Sequence, residues 1–131
     1  MALAVKLPGP DHPITLEANP ARILVRARGQ VIADTTSALT MHEASYPPVH
    51  YIPLTEIDPT VLRRSPTHTY CPYKGEASYY SISITRTDGP DDITDAAWTY
   101  ENPYPAVEAI ASHVAFYPDR VEIVIDDHIA P

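Results

Sequence analysis

The residues best suited to chemistry lie in one stretch, residues 63–84, which holds the only cysteine and four of the nine tyrosines. Cys71 is followed three positions later by Lys74. A thiolate is the reactive form of cysteine, and a nearby cation favours it. The spacing therefore predicts Cys71 and Lys74 as catalytic residues. The alternative is a small buried thiol behind a structural turn.

The same stretch also predicts a small anion-binding pocket. Thr67 and Thr69 supply hydroxyls, and Arg64 and Lys74 supply cations. Hydroxyls and cations that converge from a loop suit a phosphate or a carboxylate. The alternative is a threonine-rich strand whose charged neighbours are solvated.

Aromatic residues are the predicted walls of this pocket, because ligand sites place a few polar groups among apolar surfaces. They are Tyr73, Tyr79, Trp98, Tyr100 and Tyr117. The competing interpretation is that these rings are core residues with hydroxyls satisfied at the rim. Glu76 is a further candidate ligand-binding residue, or a base, although pairing with Lys74 or an arginine is the favoured interpretation.

Metal-dependent nucleotidyl transfer is a third hypothesis, because that reaction needs carboxylates that hold a metal on the phosphates. The candidates are Asp91-Asp92, Asp95 and Asp126-Asp127. Adjacent aspartates on loops are more typical of a solvated surface. The chain has no P-loop glycine pattern, and its six histidines show no ligand spacing. No metal site and no cofactor are therefore predicted.

Composition bounds the partners and the location. The 131 residues carry a formal net charge of −8, which disfavours nonspecific binding to nucleic acid or to an anionic membrane. A single cysteine excludes an internal disulfide. No apolar run is long enough to span a bilayer, and the first residues are too short for a signal peptide. We expect a cytoplasmic protein.

The fold that positions these residues is predicted to be mainly β. With 15 prolines and 4 glycines, the chain favours short strands and stiff loops over long helices. A hairpin is predicted around Gly29-Gln30. Alternation predicts further strands at residues 14–18, 38–43, 49–52, 77–85, 93–100, 114–117 and 121–125.

Three details of this prediction concern the site. In strand 77–85 the side chains of Tyr80, Ile82 and Ile84 are expected to point inward and that of Tyr79 outward. Residues 59–63 are expected to form one helical turn, and residues 105–113 the best helix.

The elements combine into a compact antiparallel domain, barrel-like or sandwich-like, with one short helix packed on it. A single domain covers residues 1–131: an extended arm over about 1–13, a core over 14–126 and a tail over 127–131. The edge strand at residues 14–18 suits pairing between chains, so a homodimer is a possible assembly.

Four segments give the chain a family resemblance: residues 67–75 (THTYCPYKG), 79–81 (YYS), 95–100 (DAAWTY) and 114–117 (VAFY). From about residue 22 to 126 the chain resembles domain-of-unknown-function family 427, which also carries a nucleotidyltransferase-like label. The resemblance implies a compact, mostly β, barrel-like fold of the kind found in methionine sulfoxide reductase B and related zinc proteins. This chain lacks the paired Cys-x-x-Cys ligands of those relatives, so zinc is not implied.

The best prediction for function is a pocket for a small anionic ligand, in an enzyme or a binding protein, built on the motif from Thr67 to Lys74. The alternative is a noncatalytic structural or protein-interaction domain, in which Lys74 bridges to Glu76 and Cys71 is buried. Nucleotidyltransferase-like activity is the third candidate.

Overall fold

Ten antiparallel strands in two sheets make up the computed structural model, which describes residues 4–126. The chain is 60% strand and 7% helix, so the mainly β prediction is confirmed. The strands are β1 (Ile14–Asn19), β2 (Arg22–Ala27), β3 (Gln30–Thr35), β4 (Ala38–Glu43), β5 (Val49–Pro53), β6 (Leu62–Cys71), β7 (Gly75–Arg86), β8 (Gly89–Thr99), β9 (His113–Phe116) and β10 (Glu122–Asp126).

The larger sheet is a curled half-barrel of seven strands in the order β1-β4-β5-β9-β8-β7-β6. The smaller sheet has the order β10-β2-β3 and contains the predicted hairpin. Within the described part of the chain, β1 lies at one edge of the larger sheet, as expected for the strand predicted at residues 14–18. Pairing of this edge with a second copy stays a prediction.

One hydrophobic cluster joins the two sheets. It combines Ile23 and Val25 of β2 with Ile52 of β5, Ile82 of β7 and Val114 of β9, all of them fully buried. These are alternate positions of each strand, so the same period that predicted the strands also selects their buried face.

A second hydrophobic cluster packs on the opposite face of the larger sheet. Tyr51 and Ala115 belong to it, whereas their chain neighbours Ile52 and Val114 belong to the first cluster. Tyr79 is partly buried against this second cluster. Tyr79 thus lies on the face opposite to that of Ile82, as predicted, but this face is partly covered by the second cluster and is not fully solvated.

The helical predictions are corrected by the structure. The helix expected over residues 105–113 is a 3-10 helix, Pro105–Ile110, which buries Val107 and Ile110, and β9 already begins at His113. Residues 59–63 do not form a helical turn. The side chain of Asp58 instead accepts hydrogen bonds from the backbone N and the hydroxyl of Thr60, and β6 starts at Leu62. A second 3-10 helix, Leu54–Glu56, was not predicted.

The N-terminal arm is fixed along the end of β6. The Tyr70 hydroxyl donates to the carbonyl of Ala4, and the backbone N of Lys6 donates to the carbonyl of Pro72 at 2.9 Å. The tail predicted at residues 127–131 lies outside the described residues. In the part of the chain that the structure covers, no helix has the length and apolar character to cross a membrane.

The turn between β6 and β7 generates the first testable prediction. Gly75 has a φ of +110°, and a Cβ there would lie 3.4 Å from the carbonyl oxygen of Asn102. Because side chains strongly disfavour this backbone region, Gly75→Ala should lower the free energy of unfolding by about 1–3 kcal/mol. Gly9→Ala is the control, since a Cβ at Gly9 would have no other atom within 4 Å. Equal stability of the two variants in urea unfolding would contradict the prediction.

Candidate functional site

Three neighbouring strands bring most of the sequence-predicted residues to one face. Thr69 of β6 lies opposite Ala77 of β7, and Tyr79 of β7 lies opposite Trp98 of β8. Directly opposed residues of an antiparallel pair project to the same side. Thr69, Tyr79 and Trp98 therefore share a face, which we call the aromatic face, and Cys71, two residues after Thr69, lies on it as well.

A cleft of about 290 Å³ opens at this face, and we call it the threonine cleft. Its lining combines hydroxyls, carboxylates and one guanidinium. The lining residues are Thr67, Thr69, Tyr79, Asp95, Tyr117, Asp119 and Arg120. Four of these were predicted for the pocket from the sequence: Thr67, Thr69 and Tyr79 as ligand-binding residues, and Tyr117 as an aromatic wall.

Hydroxyl groups form a connected chain along the cleft. Thr69 Oγ1 and the Tyr79 hydroxyl are 2.9 Å apart, and the Tyr117 hydroxyl donates to that of Tyr79 at 3.4 Å. Burial, followed by the hydrogen bond with Tyr79, raises the pKa of Tyr117 above its usual value. Tyr117 is thus protonated at neutral pH, and the hydroxyls of the chain can donate or accept hydrogen bonds.

Asp95 places a carboxylate in the same cleft. Its Oδ2 accepts a hydrogen bond of 2.7 Å from the Thr67 hydroxyl, and its backbone N donates to Ser81 Oγ at 3.0 Å. The hydroxyls of Ser65 and Thr67 and the charge of Arg120 hold the pKa of Asp95 below its usual value. The carboxylate is therefore ionised at neutral pH.

Arg120 is the cation of the cleft. Its side chain is exposed, and its guanidinium forms no ion pair with any residue in the range 4–126. Sequence reasoning missed Arg120 because it lies between the predicted strands 114–117 and 121–125, far along the chain from Thr67 and Thr69. The segment that follows β9 comes to lie beside Thr67 and Thr69 because β9 pairs with β8 in the same sheet.

Lys74 lies in a different environment from the cleft. Its ammonium donates to Glu43 of β4, whose other carboxylate oxygen lies 2.7 Å from Nε2 of His12. The side chains of Lys74 and Glu43 are only 12% and 11% exposed. The His12 ring stacks on that of Tyr73 with centroids 3.9 Å apart. We call His12, Glu43 and Lys74 the charged cluster.

The charged cluster changes the titration of Glu43. Burial alone would raise the pKa of this carboxyl, but hydrogen bonds from Lys74 and His12 outweigh burial and hold it below its usual value. Neither Glu43 nor His12 was singled out from the sequence, because 31 residues separate each of them from its bonded partner in the cluster. The predicted Lys74–Glu76 bridge is not formed. Glu76 is exposed, and its Oε1 lies 3.6 Å from Nδ1 of His68.

The other predicted residues are distributed around these two groups. Arg64 lies outside the threonine cleft, where it donates to Glu101 at 2.8 Å. Tyr100 is buried beside the charged cluster, with Lys74 Nζ 5.8 Å from its ring centroid. Trp98 donates from Nε1 to the Tyr51 hydroxyl at 3.3 Å. Cys71 is partly buried against the second hydrophobic cluster.

The carboxylates considered for nucleotidyl transfer are not gathered together. Asp91 pairs with Arg28 at 2.9 Å and with Arg86 at 3.1 Å, whereas Asp95 lies in the cleft. Asp127 is outside the described residues. Between residues 4 and 126, no three histidine, cysteine, aspartate or glutamate side chains are grouped so that they could hold a metal ion.

The charged cluster generates a stability prediction. Lys74→Met leaves the Glu43 carboxylate buried without its ammonium partner, so the free energy of unfolding should fall by about 3 kcal/mol. The double variant Lys74→Met/Glu43→Leu should recover most of this loss, because two apolar side chains of similar size carry no charge that must be removed from water. Urea unfolding of Lys74→Met, Glu43→Leu and the double variant completes the double-mutant cycle. A double variant as unstable as Lys74→Met would contradict the interpretation.

The lowered pKa of Glu43 generates a prediction about pH. As the pH falls, the unfolded carboxyl takes up its proton first, near the ordinary value of 4.5, so acid stabilises the unfolded state. The stability that wild type has over Glu43→Gln should therefore be fully present above pH 4.5 and decline below it. Chemical denaturation of both proteins between about pH 3 and pH 7 measures this difference. A difference that grows as the pH falls would have the wrong sign.

Comparison with known proteins identifies the family of this chain. A family model described as "Domain of unknown function (DUF427)" matches residues 15–127. No curated protein matches the chain. Because the family match spans most of the sequence, the chain belongs to the DUF427 family, as the resemblance of its motifs predicted.

Proposed function

We propose that this member of the DUF427 family binds a small ligand with an acidic group in the threonine cleft. The observation that carries the proposal is the Arg120 guanidinium, which lines the cleft without an ion-pair partner among the described residues. Thr67 and Thr69 present hydroxyls to the same space. A cation and hydroxyls that converge on one point suit a carboxylate or a phosphate.

Arg120 takes the role that the sequence assigned to Arg64 and Lys74. Those two side chains are held by Glu101 and Glu43, so neither is available to neutralise a ligand in the cleft. At about 290 Å³ the cleft is near the lower end of the volumes of small-molecule sites, which favours a ligand of metabolite size. The net charge of −8 also favours a small molecule over nucleic acid and suits a cytoplasmic protein.

Charge in the cleft restricts the ligand further. Asp95 and Asp119 line it together with Arg120, so its formal charge is −1. A bare anion would be repelled by the two carboxylates unless its acidic group sits at Arg120 and its remaining part offers hydrogen-bond donors. The proposal concerns binding. Cys71 and Lys74 stay sequence predictions as catalytic residues.

A second candidate function is supported by the charged cluster. Lys74 is committed to Glu43 and Cys71 packs against apolar side chains, so the CPYKG motif has a sufficient structural role. In that case the domain is noncatalytic and acts as a structural or interaction module. No contact within the described residues favours the nucleotidyltransferase-like candidate over these two.

A ligand screen with an arginine variant tests the proposal. Thermal-shift screening with small carboxylic acids, sugar phosphates and nucleotides should give hits, and calorimetry should give their dissociation constants. Arg120→Ala should weaken these hits roughly 10- to 100-fold, the usual effect of losing a hydrogen bond to a charged group. Arg26→Ala is the matched control, because its exposed side chain pairs with Glu122 and does not line the cleft.

The two candidate functions give different results in this screen. A noncatalytic structural module should give no specific hit, or hits of equal affinity in wild type and Arg120→Ala. Either result would overturn the assignment of the threonine cleft as a ligand site.

A further inference from the structure

We propose that Asp95 determines ligand specificity by accepting a hydrogen bond from a hydroxyl of the ligand, so that the ligand class is small polyhydroxylated acids. This inference rests on the proposed ligand site and names the substrate class of that site. Sequence reasoning considered Asp95 only as one of several carboxylates that could hold a metal.

The backbone at Asp95 is unusual. Its φ is +49°, in the left-handed region that side chains other than those of asparagine and aspartate rarely occupy. The pairing of β7 with β8 is irregular at this point: Tyr80 lies opposite Ala97 and Ile82 opposite Ile93, so three residues of β8 face one residue of β7. Asp95 is the middle residue of this bulge. Bulges of this kind often redirect a side chain beside a functional site.

The surrounding structure holds the bulge in place. Ser81 is the one residue of β7 that lies opposite the bulge. The backbone N of Asp95 donates to its Oγ at 3.0 Å. The next carbonyl, that of Ala96, accepts from the backbone N of Tyr117 at 2.9 Å. Backbone strain persists where neighbouring contacts over-determine it, and such positions cluster at ligand sites. The contacts here aim the Asp95 carboxylate at the cleft that Tyr117 also lines.

The Asp95 carboxylate can accept more hydrogen bonds than the described residues donate to it. Oδ2 accepts from Thr67, whereas Oδ1 is buried and has no hydrogen-bond partner among residues 4–126. The Ser65 hydroxyl is a further neighbour of the carboxylate and helps to hold the pKa of Asp95 low. An ionised carboxylate only accepts hydrogen bonds, and a buried acceptor without a donor is unfavourable. A ligand donor that enters the cleft, which Asp95 lines, would use this capacity.

The charges of Arg120 and Asp95 together restrict the chemistry of the ligand. Arg120 fits an acidic group, and Asp95 fits a hydroxyl some distance away on the same molecule. The hydroxyl chain of Thr69, Tyr79 and Tyr117 can donate to or accept from further hydroxyls. Sugar phosphates and sugar acids combine these groups at a size that the cleft holds. The shared chemistry is a hydroxylated chain that ends in an acid.

Matched pairs of probes test this inference. D-ribose 5-phosphate is compared with pentyl phosphate, and D-gluconate with hexanoate, so that each pair shares the acid and differs in the hydroxyls. Wild type should bind the hydroxylated member of at least one pair 10-fold or more tightly than its partner. Which pair shows the preference distinguishes a phosphate ligand from a carboxylate ligand.

Two variants then assign the preference to Asp95. Asp95→Asn keeps the size of the side chain and its tolerance of positive φ, and Asp95→Gly suits the backbone even better. Both should lose most of the preference for the hydroxylated probe, while binding of the simple acid stays equal or becomes tighter because a repelling charge is removed. A merely structural role for Asp95 would weaken both members of a pair alike. Thermal unfolding of both variants checks that the fold is retained.

The outcomes separate this inference from the proposed function. If no acid of either kind binds wild type, the threonine cleft is not the proposed site and both ideas fail. If the acids bind through Arg120 but the hydroxylated probes have no advantage, or keep it in Asp95→Asn and Asp95→Gly, the role of Asp95 is overturned and the ligand site stands.

Discussion

The contact between Lys74 and Glu43 is the constraint that organises the CPYKG motif into a fixed turn. It joins the β6–β7 turn to the end of β4, two elements that do not pair in the sheet. His12 adds the N-terminal arm to the same carboxylate, and its stacking on Tyr73 covers the turn. Three distant parts of the chain thus meet at one buried charge pair.

Such a pair is weak support for stability by itself, because the desolvation of two charges offsets most of their attraction. Its effect is geometric. Glu43 is satisfied only when Lys74 and His12 are both in place, so alternative positions of the turn leave a buried carboxylate unpaired. With the turn fixed, the register of β6 against β7 is fixed as well, and this register sets Thr69 and Tyr79 side by side. The charged cluster therefore supports the threonine cleft without lining it.

Much of the fold could be predicted from the sequence because strand periodicity is local. The hairpin around Gly29, the strand beginning near Ala77 and the burial of Val107 and Ile110 all follow from spacing within a few residues. The failed helical turn at residues 59–63 shows the limit of local signals. An Asp-Pro pair is typical of a helix start, but the Asp58 side chain bonds to Thr60 and the chain continues into β6.

The site divides in the same way. Thr67, Thr69 and Tyr79 could be predicted as neighbours because they lie on adjacent strands of one hairpin. Glu43 and Arg120 could not, because their positions depend on how distant strands are ordered in the sheet. Sequence reasoning consequently paired Lys74 with the nearby Glu76, whereas its partner is Glu43. It also assigned Arg64 and Lys74 to the pocket, and neither of them lines the threonine cleft. Charge pairing in this protein is decided by topology and not by proximity along the chain.

This separation of charges gives the cleft its chemical character. Had Lys74 faced the cleft, as sequence reasoning suggested, two cations would balance Asp95 and Asp119, and a simple anion would meet no net repulsion. Because Glu43 holds Lys74 elsewhere, the lining keeps one guanidinium against two carboxylates. In the proposed ligand site, an acid alone is then expected to bind weakly, and specificity is expected to depend on the part of the ligand that meets Asp95. The bulge in β8 that places Asp95 there and the ion pair that withdraws Lys74 thus act on the same property, the charge balance of one small cleft.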